Sequence, residues 1–284
     1  MRVVFTKKEA DFILKEALKG RERINVSLDL GKTKNAYPID NGFLITSESN
    51  ESNIELEQLT KCKDKTIYTI TEGKVLAVEL FSNETNLYYK LRPTLNWPTL
   101  MLSSVPMHRF ITLTPKDSAE SMVNTISPIK GRVLDTCAGL GYTSIVSAQK
   151  AQSVDCFEKD PNVLEIAKYN PYSDELFTNP KITLHQESVF EGLAKFSNGY
   201  FDRIIHDPPT PTFAKELYSQ EFYYEIMRVL KNGGKFYHYS PNPGKTKGNE
   251  FWKLIQRNLD KVGFRGVSYS KKASGLFAIK KEYE

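Results

Sequence analysis

Val133-Leu134-Asp135-Thr136-Cys137-Ala138-Gly139-Leu140-Gly141-Tyr142-Thr143-Ser144 is the stretch on which the reading of the fold turns. An apolar strand runs into a glycine turn and then into a helix. Gly139 and Gly141 lack a Cβ, so the backbone turns tightly and approaches a ligand closely. Thr143 and Ser144 open a helix whose first N–H groups have no partner within it. Such a turn holds a nucleotide-like cofactor, and the acid that accompanies one is present. Glu158 ends the next apolar run, Ser153-Val154-Asp155-Cys156-Phe157, about 20 residues on, where a carboxylate grips ribose hydroxyls.

Strand and helix signals alternate outward from this turn. Residues 132–135, 153–158, 182–184, 201–206 and 235–240 read as strands. Helices are expected over 116–125, 143–149 and 161–170, with Pro161 at the favoured first position. Phe222, Ile226, Val229 and Leu230 line one face of a further helix that Asn232-Gly233-Gly234 stops. Phe251, Leu254, Ile255, Leu259 and Val262 mark a last helix face, before strands over 266–270 and 276–280 joined by a few residues.

Two further features narrow the reading. Asp135 stands four residues before Gly139, giving D-x-x-x-G-x-G in place of the G-x-G-x-x-G dinucleotide fingerprint. Asp202-Arg203-Ile204-Ile205-His206-Asp207-Pro208-Pro209 follows two β/α units later. Together with Glu158-Lys159-Asp160-Pro161, these stretches resemble a class I S-adenosylmethionine-dependent methyltransferase over residues 105–284. The resemblance implies an α/β, Rossmann-like class I methyltransferase fold: a mostly parallel seven-stranded sheet ending in an antiparallel hairpin, behind a small, mostly-β N-terminal domain over 1–104. It implies S-adenosyl-L-methionine as cofactor, with Asp135, Ala138, Gly139 and Gly141 cradling its methionine end and Cys137 and Thr143 in the same cofactor loop, Cys137 as packing. The Asp135 carboxylate would accept from the ammonium or order the turn. Glu158, with Lys159 beside it, would take the ribose, and Glu187 or Ser188 would meet the adenine.

Asp207-Pro208-Pro209-Thr210 resembles the [Asp/Asn/Ser]-Pro-Pro-aromatic motif of methyltransferases that modify exocyclic or amide nitrogens. Pro208 and Pro209 lack N–H groups and fix φ, leaving a carbonyl and the Asp207 side chain to accept both hydrogens of an amino group. Thr210 stands where an aromatic residue would stack on the target; Phe213, Tyr218 or Tyr239 would substitute. His206 either accepts a proton or fills space beneath the cofactor. The wording of these motifs, with Met107-His108-Arg109 and His238-Tyr239, is similar to a group of predicted archaeal methyltransferases, from which Thr210 and Pro115-Lys116-Asp117 depart.

The 40% apolar and 26% charged composition is that of a globular chain, with no apolar run of the ~20 residues a membrane span needs. No secretory signal pattern opens the sequence, so a cytoplasmic location is expected. Cys62, Cys137 and Cys156 show no C-x-x-C spacing, which indicates neither a disulfide framework nor a metal site. A net charge of +5, from 39 basic and 34 acidic residues, permits RNA as a partner without requiring it.

Residues 1–104 carry a short amphipathic helix over 11–19 and strands over 24–28, 42–46, 66–70 and 75–80. In Asn86-Leu87-Tyr88-Tyr89-Lys90-Leu91-Arg92-Pro93-Thr94-Leu95-Asn96-Trp97-Pro98, aromatic and basic residues interleave, either to stack bases or to pack one domain on the other. The leading expectation is an S-adenosylmethionine-dependent methyltransferase of an amino group in an RNA base. The alternatives are methylation of a protein side chain or small molecule, aminopropyl transfer in polyamine synthesis, and a non-catalytic RNA-binding module.

Overall fold

The computed structural model describes residues 2–46, 53–240 and 251–281. The chain divides into two compact units, Met1–Pro115 with Asn162–Asp174, and Lys116–Pro161 with Glu175–Glu284.

The first unit is built from small antiparallel sheets, one of three strands and two of four among the described residues. Its helix, Lys7–Leu18, starts four residues ahead of the expected 11–19 because Thr6-Lys7-Lys8-Glu9 is a capping box. The Glu9 carboxylate accepts from the Thr6 N–H at 2.9 Å, and Lys8 N–H donates to Thr6 Oγ1 at 3.2 Å. Strands Ile67–Thr71 and Lys74–Ala77 form the expected hairpin. Glu72 and Gly73 take the positive φ angles, 50° and 70°, that match a tight turn to strand twist.

The first half of the stretch 86–98 is a strand, Leu87–Arg92. Leu87–Arg92 pairs antiparallel with Glu79–Ser82 on one side and Thr99–Leu102 on the other. Tyr89 and Leu91 are fully buried, while Lys90, pointing to the opposite face, pairs with Glu79 at 3.5 Å. Trp97 stacks on Tyr172 and Arg92 lies over the Phe110 ring, so this stretch directs its aromatic and basic groups to packing within the unit.

The second unit holds a seven-stranded sheet. Numbered within it, its strands are β1 Arg132–Asp135, β2 Ser153–Phe157, β3 Ile182–His185, β4 Phe201–His206, β5 Leu230–Tyr239, β6 Phe264–Ser270 and β7 Gly275–Lys280. Their order is β3-β2-β1-β4-β5-β7-β6. The first five are parallel, and β7 runs antiparallel to both β5 and β6. This is the α/β sheet with a terminal hairpin that the sequence predicts. Strand β5 begins at Leu230 rather than 235, since Asn232-Gly233-Gly234 lies inside the strand, where the β4–β5 register shifts. The link from β2 to β3 adds a 3-10 turn, Pro171–Ser173, and a helix, Asp174–Thr178, beyond the expected Pro161–Ala167 helix.

Helices Gln220–Val229 and Phe251–Val262 bury Phe222, Tyr223, Ile226 and Val229, and Ile255, Leu259 and Val262, in one core with β4 and β5. Each such large side chain contributes about 1.5–3 kcal/mol. Among the described residues, no helix is long and apolar enough to cross a membrane.

Gly131, just before β1, has a φ of +61°, and an added Cβ would lie 2.1 Å from Asp202 Oδ2. That carboxylate oxygen accepts from Arg132 N–H at 2.9 Å and from Lys231 Nζ at 2.7 Å. Gly131→Ala is therefore expected to destabilise the fold by at least about 1–3 kcal/mol. Thermal or urea denaturation checks this, with an unchanged midpoint as the contrary result.

Candidate active site

The strand register assembles the site. Asp135 on β1 pairs with Cys156 on β2 and with Ile205 on β4. Beyond these pairs β1 leaves the ladder, and Glu158 and Asp207 both lie near enough to Cys137 for their charges to act on its thiol. Backbone bonds hold this divergence point: Thr136 N–H donates to Ile205 O at 3.0 Å and Ala138 N–H to Phe157 O at 2.7 Å. The carboxyl ends of parallel strands are where such sheets bind ligands.

Asp135 is fully buried and orders the turn. Its Oδ2 accepts from Thr143 Oγ1 at 2.6 Å and Ser144 Oγ at 2.7 Å, fixing the start of the helix Tyr142–Ala148. Its Oδ1 has no hydrogen-bond partner among the described residues. Burial outweighs the two hydroxyls and the nearby N–H groups of Cys137 and Ser144 and raises its pKa to about 6. Glu158, half-buried, accepts from Gly139 N–H at 3.0 Å through Oε2 and from Asp160 N–H at 2.9 Å through Oε1. Burial, opposed by these two N–H groups, raises its pKa to about 7. The acid expected on the ribose is thereby tied to the glycine turn.

The two glycines differ. Gly141, at φ +81°, has no room for a side chain, since a Cβ would lie 2.9 Å from Leu176. Gly139, at φ +54°, faces open space, with nothing within 4 Å of an added Cβ. An orphaned buried acceptor at Asp135, open space at Gly139 and a tethered acid at Glu158 fit a cofactor with a cationic tail and ribose hydroxyls. Cys137 is half-buried, and burial with the fields of Glu158, Asp135 and Asp207 pushes its thiol well up, away from nucleophilic chemistry.

Asp207 is half-buried, and its side chain has no hydrogen bond among the described residues. Burial, then the charge of Asp135, raises its pKa to about 7. Beyond it, Pro209 O is taken by the Tyr218 hydroxyl at 2.8 Å. Tyr218 packs against His238 and Phe251, whereas Phe213 and Thr210 are exposed. His206 is fully buried, with Thr136 Oγ1 2.7 Å from Nδ1 and Leu217 O 3.1 Å from Nε2. Burial and His238 hold its pKa well below the usual value. With both nitrogens engaged, His206 supports the strand end and has no site left for a substrate proton.

Lys159 is exposed and pairs with Glu216 at 3.5 Å. Glu187 is held by Lys195 and lies 3.8 Å from His185 Nδ1, while Ser188 precedes the helix Val189–Gly192 without capping it. The sequence reading passes over Thr136. The signal was present, since a residue one past Asp135 is level with one past Ile205, which is His206.

The uncharacterized protein MJ1233 of Methanocaldococcus jannaschii is 40% identical over 278 residues, 94% of this chain and 93% of its own. The chain belongs to the family of that archaeal protein. In this MJ1233-type chain, residues 134–271 match the spermine/spermidine synthase domain, which spans the glycine turn, Glu158 and Asp207. Its catalytic unit is thus of the S-adenosylmethionine-dependent transferase class. A putrescine N-methyltransferase of Nicotiana tabacum is 28% identical over 111 residues, 38% of this chain and 30% of its own. A spermidine synthase solved with a transition-state analogue has the same fold, with a TM-score of 0.54 at 22% identity, covering 71% of this chain and 72% of that one.

Three carboxyls with raised pKa values bind protons in the folded state that the unfolded chain has released. Their contribution to stability is full below about pH 4 and is lost as pH rises through 6 to 7. The thermal midpoint of the ligand-free protein should therefore rise from about pH 8 to about pH 6, and Glu158→Gln should reduce that slope. Melting curves across this range check it; a slope identical in the variant counts against the assignment. Glu158→Ala should also weaken S-adenosylmethionine binding by ~1.5–3 kcal/mol per charged hydrogen bond lost, read by calorimetry.

Proposed function

We propose that this MJ1233-type chain N-alkylates a small aliphatic amine, drawing the alkyl group from an S-adenosylmethionine-type sulfonium. The observation that carries this reading is Asp207: a half-buried carboxyl without a hydrogen-bond partner among the described residues, close enough to the glycine turn for its charge to act on Cys137. A carboxylate in that position gains most from a cation, and an alkylammonium supplies one. Asp135 and Glu158 add to the negative field, which favours a cationic acceptor and disfavours a polyanion such as RNA.

Bound against Gly139 and Glu158, the donor would supply a methyl or aminopropyl carbon made electrophilic by its positively charged sulfur. The work of the protein is to orient the amine and take its proton. An ammonium must lose a proton before its lone pair is free, and a carboxyl with a pKa of about 7 is matched to that transfer at neutral pH. The names of two relatives support an aliphatic amine: the matched domain is named for spermine and spermidine synthases, the tobacco relative for putrescine. A second reading, methylation of an amino group in an RNA base, is favoured by the Asp207-Pro208-Pro209 turn. The burial of Tyr89 and the stacking of Trp97 on Tyr172 remove one support for it.

Methyl-labelled S-adenosylmethionine and its aminopropyl-labelled decarboxylated form, each offered with aliphatic diamines and with total RNA, test the reading. Label is expected in the amine, and the productive donor tells methyl from aminopropyl transfer. Label in RNA alone overturns it. Asp207→Asn should cut turnover by ~10²–10³-fold, the scale of losing one electrostatic or acid–base group, with donor affinity changed by less than about threefold.

A further inference from the structure

The β1–β4 backbone ladder stops at the Asp135–Ile205 pair, followed by one last bond from Thr136 N–H to Ile205 O. Beyond it the two strand ends diverge, one into the glycine turn and the other into Asp207-Pro208-Pro209. Thr136 and His206 are the first level pair past the ladder, and their side chains continue it, Oγ1 to Nδ1, at 2.7 Å. On the other side of the ring, Nε2 meets Leu217 O at 3.1 Å, in the short turn Lys215–Tyr218. A carbonyl oxygen only accepts, so Nε2 carries the proton and Nδ1 accepts from the threonine hydroxyl; the contacts admit one neutral tautomer.

The same short turn reaches the far side of the motif, where the Tyr218 hydroxyl donates to Pro209 O at 2.8 Å. Asp207 is therefore bracketed, with His206 before it and Pro209 after it both tied to Lys215–Tyr218. The ring itself has little freedom, lying 4.9 Å from Phe222 and edge-on to His238 at 4.6 Å. An apolar side chain would fill this space without holding the two strand ends in register.

We propose that His206 is a positioning residue which, through the Thr136 hydroxyl, fixes the Asp207 carboxyl relative to the glycine turn. For its activity arm the proposal rests on the amine-alkylation reading above; its spectroscopic arm does not. Thr136→Val removes the hydroxyl at nearly constant volume, and Thr136→Ser restores it.

In full-length protein, the carboxyl carbon of Asp207, assigned with Asp207→Asn, is followed by NMR through a pH titration. Thr136→Val should move its midpoint by about half a pH unit or more, because its distance from Asp135 changes, and Thr136→Ser should return it. With an amine substrate, Thr136→Val should lower kcat by about tenfold or more with KM and donor affinity changed by less than about threefold, since orientation is lost and binding is kept. An Asp207 titration identical in wild type and Thr136→Val overturns the proposal. So does a fall in kcat that Thr136→Ser leaves unrepaired. Should wild type transfer no label to any amine, the amine reading fails, and the Asp207 titration alone decides the role of His206.

Discussion

The parallel register of β1 with β2 and β4 is the constraint on which the site depends. Because Asp135 pairs with Cys156 and Ile205, the acids two residues past those partners, Glu158 and Asp207, are both brought to the end of β1, where their charges act on Cys137. A slip of one residue in either pairing would turn Glu158 or Asp207 to the opposite face of the sheet. The register is secured by burial on both faces. Val133, Leu134, Ile204 and Ile205 are all at 0% exposure, so a slip would also carry apolar side chains out of the core.

That arrangement has a cost. Three carboxyls at these strand ends lose water, and the charge of Asp135 acts on the other two, which is why Asp135, Glu158 and Asp207 all hold protons more tightly than free acids. A site under this kind of electrostatic tension is relieved by cations, and a sulfonium donor with an ammonium tail and an alkylammonium acceptor are both cationic. The destabilised free state and the chemistry proposed for the site thus have a common physical origin.

The catalytic unit was legible in the sequence because its local and long-range signals agree: a glycine turn after an apolar strand, an acid at the next strand end, and prolines after the fourth. The N-terminal unit was less legible because its strands are short, as in Phe43–Leu44, or without a buried face, as in Asn35–Asp40, so their alternation is weak. Where stronger signals existed, competing ones hid them. Leu87, Tyr89 and Leu91 alternate with Tyr88, Lys90 and Arg92 as a strand should, yet Pro93 and the run of aromatic and basic residues suggested base stacking or domain packing. In the site, Thr136 was overlooked because it carries no charge. Its importance comes from a pairing with His206 across 70 residues of sequence, which only the sheet register reveals.

The two prolines explain why Asp207 stands apart from the other acids. An aspartate or glutamate at a strand end ordinarily draws in the N–H of a residue one or two further on, as Glu158 does with Asp160. Pro208 and Pro209 occupy those positions after Asp207 and have no N–H to offer. They also stop β4 from extending its ladder, so Asp207 leaves the sheet with its carboxyl unsatisfied by its own backbone. In Glu158, two backbone donors lower a pKa that burial raises; in Asp207, burial and the charge of Asp135 act without that opposition. The motif therefore matters less for the shape of its turn than for the donors it withholds, and the hydrogen bonds that Asp207 lacks are the ones an amine substrate can supply.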